Sequence, residues 1–278
     1  MCFVPMALAV VLVTHVSYWF YPVSSLLIAN RLLALSLLGH EGVHGTLFIQ
    51  KGSNDFIARW ICCYPTFMSL TEYRKKHFMH HGGLGSRNWD PDRHLYDFYP
   101  LNWLHFVGRL FLELATLRLT VSFYRYYVKP PTNVLQRALQ MNAKSERDFV
   151  GFWIFHLVLI GAAIAFHFWA EYLIFYSIPL FCLMQPYIIL MGGLQHGALF
   201  ERPSEYKSRS IVGKKALIEV LLPCDIGFHA EHHLDPGVPH YQLSRFAQDL
   251  TAQNSGLHRT TYVQALVELF AKAESRRS

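Results

Sequence analysis

The chain has 278 residues, 52% of them hydrophobic and 16% charged, with a formal net charge of +6 and a mean hydropathy of +0.19. A soluble domain usually carries about 25% charged residues; here the shortfall is concentrated in a few long apolar blocks, so the composition describes a membrane protein and excludes a disordered or ordinary soluble one. Of the 25 Lys and Arg, 14 lie in residues 49–148, 10 in 201–278 and one at Arg31, with no nucleic-acid-binding motif among them; that asymmetry is the mark of cytoplasmic loops beside anionic lipid.

In chain order, MCFVPMALAVVLV lacks the basic region and cleavage site of a signal peptide. It reads as a first membrane helix over residues 3–20, with a very short or trimmed leader. An uncharged turn is expected at Tyr21-Pro22-Val23-Ser24, and residues 25–47 return as a second span. Residues 149–169 and 172–193 form a second hairpin, kinked at Pro179 and Pro186. Neither turn contains Lys or Arg, so both face outward. The expected fold is an all-α integral membrane protein with four transmembrane helices in two hairpins. A cytosolic helical cap is expected over 49–148 and 201–278, all within one domain, 1–278. In the cap, 55–72 and 100–128 mix apolar and charged residues and are expected to lie at the interface. Arg31 is read as snorkelling from the second span, with an intramembrane ion pair as the alternative.

The 16 histidines are clustered. GHEGVHG alone matches a zinc-protease signature, with His40 and His44 as ligands and Glu41 as general base. KKHFMHH adds His77, His80 and His81; FHAEHHLDP adds His229, His232 and His233. Spacings of three and four put such residues on one face of a helical turn. The expected topology puts all three clusters on one side of the membrane. Eight neutral imidazoles exceed one tetrahedral zinc and suit two transition-metal ions, for which iron is a good candidate. A protease explains only the first cluster, because Leu234-Asp235-Pro236-Gly237 belongs to the third and not to a later span. A haem carrier would need single histidines on facing spans, and a transporter ligands near the midplane. The isolated His15, His105, His156, His167 and His258 read as ordinary membrane-edge histidines.

The ordered set HEGVH, HFMHH and HAEHH resembles the three histidine boxes of the membrane fatty acid desaturase superfamily, which also includes hydroxylases, alkane monooxygenases and carotenoid ketolases. The flanks GHEGVHGTLF and FHAEHHLDPGVPHYQL carry the likeness further, over roughly residues 30–245. The resemblance implies a di-iron centre in the cytosolic cap, with O2 as co-substrate and hydrogen abstraction from an unactivated C–H bond. Its ligands would be the eight box histidines and His196, in GGLQHGALF. Glu41, Asp90, Asp92, Asp225 and Glu231 are candidates to hydrogen-bond the imidazoles, Gln195 to lie near the metal, and His94 and His240 to flank it.

A lipid or acyl substrate is the leading expectation. HFMHHGGLGSRNWDPDRH also resembles carotenoid ketolases and hydroxylases, and a desaturase of a small amino-acid-derived metabolite is a further alternative. The chain has no H-P-G-G haem motif, no C-x-x-C pair and no nucleotide-binding glycine loop. Electrons are therefore expected from an external ferredoxin, rubredoxin or cytochrome b5. Arg74, Lys75, Lys76, Lys214 and Lys215 are placed to steer an acidic carrier or to contact headgroups. The expected location is multi-pass in a membrane, a bacterial inner membrane ahead of the endoplasmic reticulum.

Overall fold

The computed structural model describes residues 2–97, 102–127, 143–200, 202–203, 207–252 and 256–270. The expected cap segments also include 98–101, 128–142, 201, 204–206, 253–255 and 271–278, which lie outside the described residues. The structure is mostly helical, and its residues fall into two compact units: Met1–Lys76 with Thr116–Gln185, and His77–Ala115 with Pro186–Ser278.

Among the described residues, three helices are long and apolar enough to cross a membrane: Tyr18–His44, Arg147–Ala165 and Trp169–His196. At about 1.5 Å per residue each matches or exceeds a hydrocarbon core of about 30 Å. The apolar helix α1, Phe3–Val16, is shorter than the expected first span. It ends where Ser17 turns extended (φ −165, ψ 138), its hydroxyl accepting from Trp19 N. The reversal thus falls at Ser17, and Tyr21-Pro22-Val23-Ser24 forms the first turn of α2, Tyr21–His44. Pro22 suits that place because a helix leaves its first N–H groups unused. In α2 Arg31 donates to the neighbouring Asn30 Oδ1 (3.1 Å from Nε).

Where one interfacial segment was expected over 55–72, α3 (Lys51–Ile57) runs on through a wide turn, Ala58–Cys63, and a 3-10 turn, Tyr64–Thr66. It stops at Phe67, a non-glycine residue in the left-handed region (φ 62, ψ 39); α4 follows as Leu70–Gly83. The segment expected over 100–128 is two helices, α5 (Trp103–Thr116) and α6 (Arg118–Tyr127), parted at Leu117 with φ 48. Trp103, Leu104 and Phe111 are exposed on α5. Next come α7, Ala143–Ala165, and α8, Trp169–His196. Within α8 lie two π-type turns, Leu173–Ser177 and Pro179–Leu183, Pro179 opening the second and Pro186 lying beyond both.

In the first unit α2 is buried along most of its length. A Cβ at Gly42 would come within 2.1 Å of Ala58 Cβ, and one at Gly39 within 2.9 Å of Cys63 Sγ. The two glycines thus let α2 lie at backbone distance from the turn after α3. Arg74 closes the C-terminus of α2, donating to Gly42 O (2.7 Å) and Val43 O (3.0 Å), and is itself held by Asp55 (2.7 Å). A guanidinium there satisfies carbonyls that have no helical partner. Arg74 is thus a helix cap.

The second unit holds, besides most of α5, α9 (Lys215–Leu221), α10 (His229–Leu234), α11 (His240–Ala252) and α12 (Tyr262–Phe270). Two short strands, β1 (Ser210–Ile211) and β2 (Arg259–Thr260), pair in parallel with Ser210 opposite Arg259.

Candidate metal centre

His40 and His44 occupy the last turn of α2 with ring centroids 4.8 Å apart. Glu41, beside them, accepts from Thr46 Oγ1 (2.8 Å), and its other oxygen lies 3.9 Å from His40 Nδ1. That ties Glu41 to the helix end.

In the second unit the histidines of α4, α8 and α10 converge as two sets. The ligand nitrogens of His80, His196, His229 and His233 all lie within 4.8 Å of one another. His229 Nε2 is 2.8 Å from His196 Nε2 and 3.1 Å from His233 Nε2. In the other set His81 Nε2 is 2.9 Å from His77 Nε2 and 3.2 Å from His232 Nε2. Nitrogen facing nitrogen is unfavourable where both present lone pairs. With metal–nitrogen bonds of about 2.1 Å, neighbouring ligands in a tetrahedral or octahedral shell sit roughly 3.0–3.4 Å apart. The observed spacings are close to that.

The outer nitrogens decide the tautomers. His80 Nδ1 donates to Asp90 Oδ1 (2.8 Å), and His196 Nδ1 donates to the Lys207 carbonyl (3.0 Å). With the proton on Nδ1, Nε2 keeps its lone pair and is directed to a cation. Asp90 is built for this: its carboxylate also accepts from Gly85 N (2.8 Å), Asp92 N (3.0 Å) and the Tyr96 hydroxyl. Burial pushes the Asp90 carboxyl up, but the bonds from His80, Tyr96 and Gly85 hold it down to about 2. Burial alone would lower His80; the Asp90 bond and the charges of Asp92 and Asp90 together outweigh it and raise the imidazole above its ordinary value. His233, by contrast, is held well below the ordinary histidine value by burial and then by its imidazole neighbours. It stays neutral, as a ligand must.

The remaining candidates divide. Asp92 gives its backbone N–H to Asp90. Glu231, within α10, turns away from the imidazoles: it accepts from Arg259 Nε (2.8 Å) and from the Ser210 hydroxyl, fastening α10 to both strands. Asp225 has a positive φ of 51 and borders a cavity of about 340 Å³ that Phe228, Ser244 and Arg259 also line. Gln195 is buried beside His196, and its carbonyl accepts from Arg209 N (2.9 Å). His94 Nδ1 donates to the Pro91 carbonyl (2.9 Å), and His240 opens α11.

Three contributors escaped the sequence reading. The Tyr96 ring lies 4.9 Å from that of His196 while its hydroxyl reaches Asp90. The others are the Lys207 carbonyl and the Ser210–Arg259 bracket. A tyrosine in HLYDF or a backbone carbonyl has no spacing signal. Arg259 is 28 residues from Glu231.

The chemistry open to this arrangement is that of a metal site of neutral imidazoles, a donor set suited to iron, zinc or copper. A family model described as fatty acid desaturase matches residues 17–265. The chain is also similar to a dihydrorhizobitoxine desaturase from Bradyrhizobium elkanii, 24% identical over 250 residues that take in 87% of this chain and 70% of that one.

Proposed function

The chain belongs to the fatty acid desaturase family and is an oxidoreductase of that type, and from that premise we propose that it is a membrane-bound, O2-dependent di-iron enzyme introducing a C=C double bond into a fatty acyl lipid. The observation that carries this reading is the gathering of His80, His196, His229 and His233, with their ligand nitrogens within 4.8 Å of one another. These four would hold one ion. His77, His81 and His232 would hold the other, completed in this reading by His40 and His44. Two iron ions with O2 would supply hydrogen abstraction from an unactivated C–H bond.

The chain's own residues do the positioning. Asp90 and the Lys207 carbonyl fix two imidazole tautomers, and Tyr96 steadies Asp90. Glu231, through Arg259 and Ser210, sets the direction of α10. We place the site on the cytosolic side of a four-span bundle forming one domain, with α1 as its shortest helix; the support is the confinement of all Lys and Arg but Arg31 to 49–148 and 201–278. A bacterial inner membrane fits this topology, and a separate ferredoxin, rubredoxin or cytochrome b5 would deliver electrons.

The relative whose name specifies dihydrorhizobitoxine, and no fatty acid, favours a second reading: desaturation of a small metabolite on the same centre. Expression in a host of defined lipids and carotenoids, followed by mass spectrometry and metal analysis, separates the readings. Acyl chains two hydrogens lighter and two irons per chain are the expected result. Oxygen added to a carotenoid, with acyl chains unchanged, would overturn it; an unsaturated small metabolite would move the assignment to the second reading.

A further inference from the structure

His156, which the sequence presents as an ordinary membrane-edge histidine, sits in the first unit as a buried, directed acceptor. It is 4% exposed, and its Nε2 has no hydrogen-bond partner among the described residues. Its ring bonds to the Tyr64 backbone; since Nε2 is unpartnered, that bond is made by Nδ1, which must carry the proton to reach a carbonyl. Nε2 is therefore a bare lone pair. Around it stand Phe152, Phe67 and Phe155, with ring centroids at 4.5, 5.1 and 5.2 Å. None of the three offers a donor.

Two further irregularities meet at the same place. Phe67 holds a left-handed backbone with φ 62, a conformation that costs a non-glycine residue energy and that clusters at ligand sites. Its ring meets Phe181 at 5.0 Å, and Phe181 lies in the π-type turn Pro179–Leu183 of α8, whose Phe181 carbonyl is taken up by Thr120 Oγ1 (2.8 Å). Such turns recur where a helix is bent around function. One turn further along α8, Gln185 is buried and its Oε1 also lacks a donor among the described residues. A membrane-spanning segment has no bulk water to satisfy these acceptors, and an unmade buried hydrogen bond is expensive.

We propose that Phe67, Phe152, Phe181 and His156 form a subsite that binds the polar, hydrogen-bond-donating group of an amphiphile, a hydroxyl, amine or amide N–H, with His156 Nε2 as its acceptor. The subsite prefers such a group over a hydrocarbon, ester or ether of equal length. His156 is then a specificity residue, and the proposal rests on the desaturase reading only in calling the bound amphiphile a substrate.

The test is binding of tritiated dodecanol to the full chain in detergent, competed by unlabelled dodecanol or dodecyl methyl ether, which keeps the chain and lacks the donor. Wild type is expected to prefer the alcohol by about tenfold. His156→Phe should erase that preference by weakening the alcohol alone, whereas His156→Gln, which keeps an acceptor, should retain most of it. His156→Leu serves if the phenylalanine variant does not fold. No preference in wild type, or an unchanged preference in both acceptor-free variants, would overturn the subsite. Turnover is not read here, so selective binding without desaturation of any acyl or small-molecule probe would sink the desaturase reading and leave the subsite standing.

Discussion

The first unit buries a carboxylate and the second buries a ring of imidazoles, and the two are treated in opposite ways. Asp148 takes four hydrogen bonds: from Arg59 Nε (2.6 Å) and Tyr64 (2.7 Å) on one oxygen, and from Ser69 (2.6 Å) and Thr71 N (2.7 Å) on the other. Nothing is left over for chemistry. Around His80, His196, His229 and His233, the outer nitrogens of His80 and His196 are matched to Asp90 and the Lys207 carbonyl, while the Nε2 atoms of His196, His229 and His233 face one another. A buried polar cluster that closes on itself holds structure together; one whose nitrogens converge on a common point has the donor arrangement a metal ion takes.

That contrast can be broken at either end. The largest effect is expected from His229→Ala, which removes a nitrogen 2.8 Å from His196 and 3.1 Å from His233. Turnover should fall by more than about 100-fold and bound iron should drop, while metal-free stability stays within about 1 kcal/mol; full iron retention would refute the ligand assignment. Asp148→Ala should do the reverse, destabilising the fold by about 3–5 kcal/mol in thermal unfolding because Arg59, Tyr64 and Ser69 lose their acceptor. Iron per folded chain should stay unchanged, and a selective loss of iron would erase the distinction between the clusters.

Asp90→Asn is intermediate, since asparagine still accepts from His80 but no longer draws its proton. Iron affinity, measured by competition with a chelator, should weaken about 10–100-fold. The smallest effect concerns Asp55, half-exposed beside Arg74. Burial raises its carboxyl, but the Arg74 hydrogen bond and charge lower it below the ordinary 3.8 overall. A depressed carboxyl contributes stability above its unfolded pKa and loses it as pH falls through the folded one. Wild type should therefore exceed Asp55→Asn in unfolding temperature at pH 6, and the gap should shrink as pH drops below about 4. A gap that persists at pH 2 would deny the ion pair its part.

The box histidines were legible because a helix converts spacing into direction: His77, His80 and His81 within α4, and His229, His232 and His233 within α10, are aimed by the helix itself. NWDPDRH offered Asp90 and Asp92 as equals. The loop separates them: Asp90 bonds the His80 imidazole, and Asp92 gives its backbone N–H to Asp90. Glu231 looked like a partner for the histidines beside it, yet its partners come from residues 210 and 259, which no local pattern connects. The first span was misjudged at its end because hydropathy runs on past Ser17, where the backbone turns. His156 was passed over because isolation in sequence says nothing of the rings that tertiary packing brings around it.

The link from Glu231 to Ser210 and Arg259 also sets an order of events during synthesis. The β1–β2 pair cannot form until Arg259 and Thr260 have left the ribosome, long after α2, α4 and α8 have been made. Until then α10 lacks the clamp that aims its histidines, whatever metal is present. A nascent chain arrested before Arg259 is therefore expected to sit in the membrane with helices formed and to retain no iron through a wash with chelator; retention equal to the full chain would deny the clamp this part.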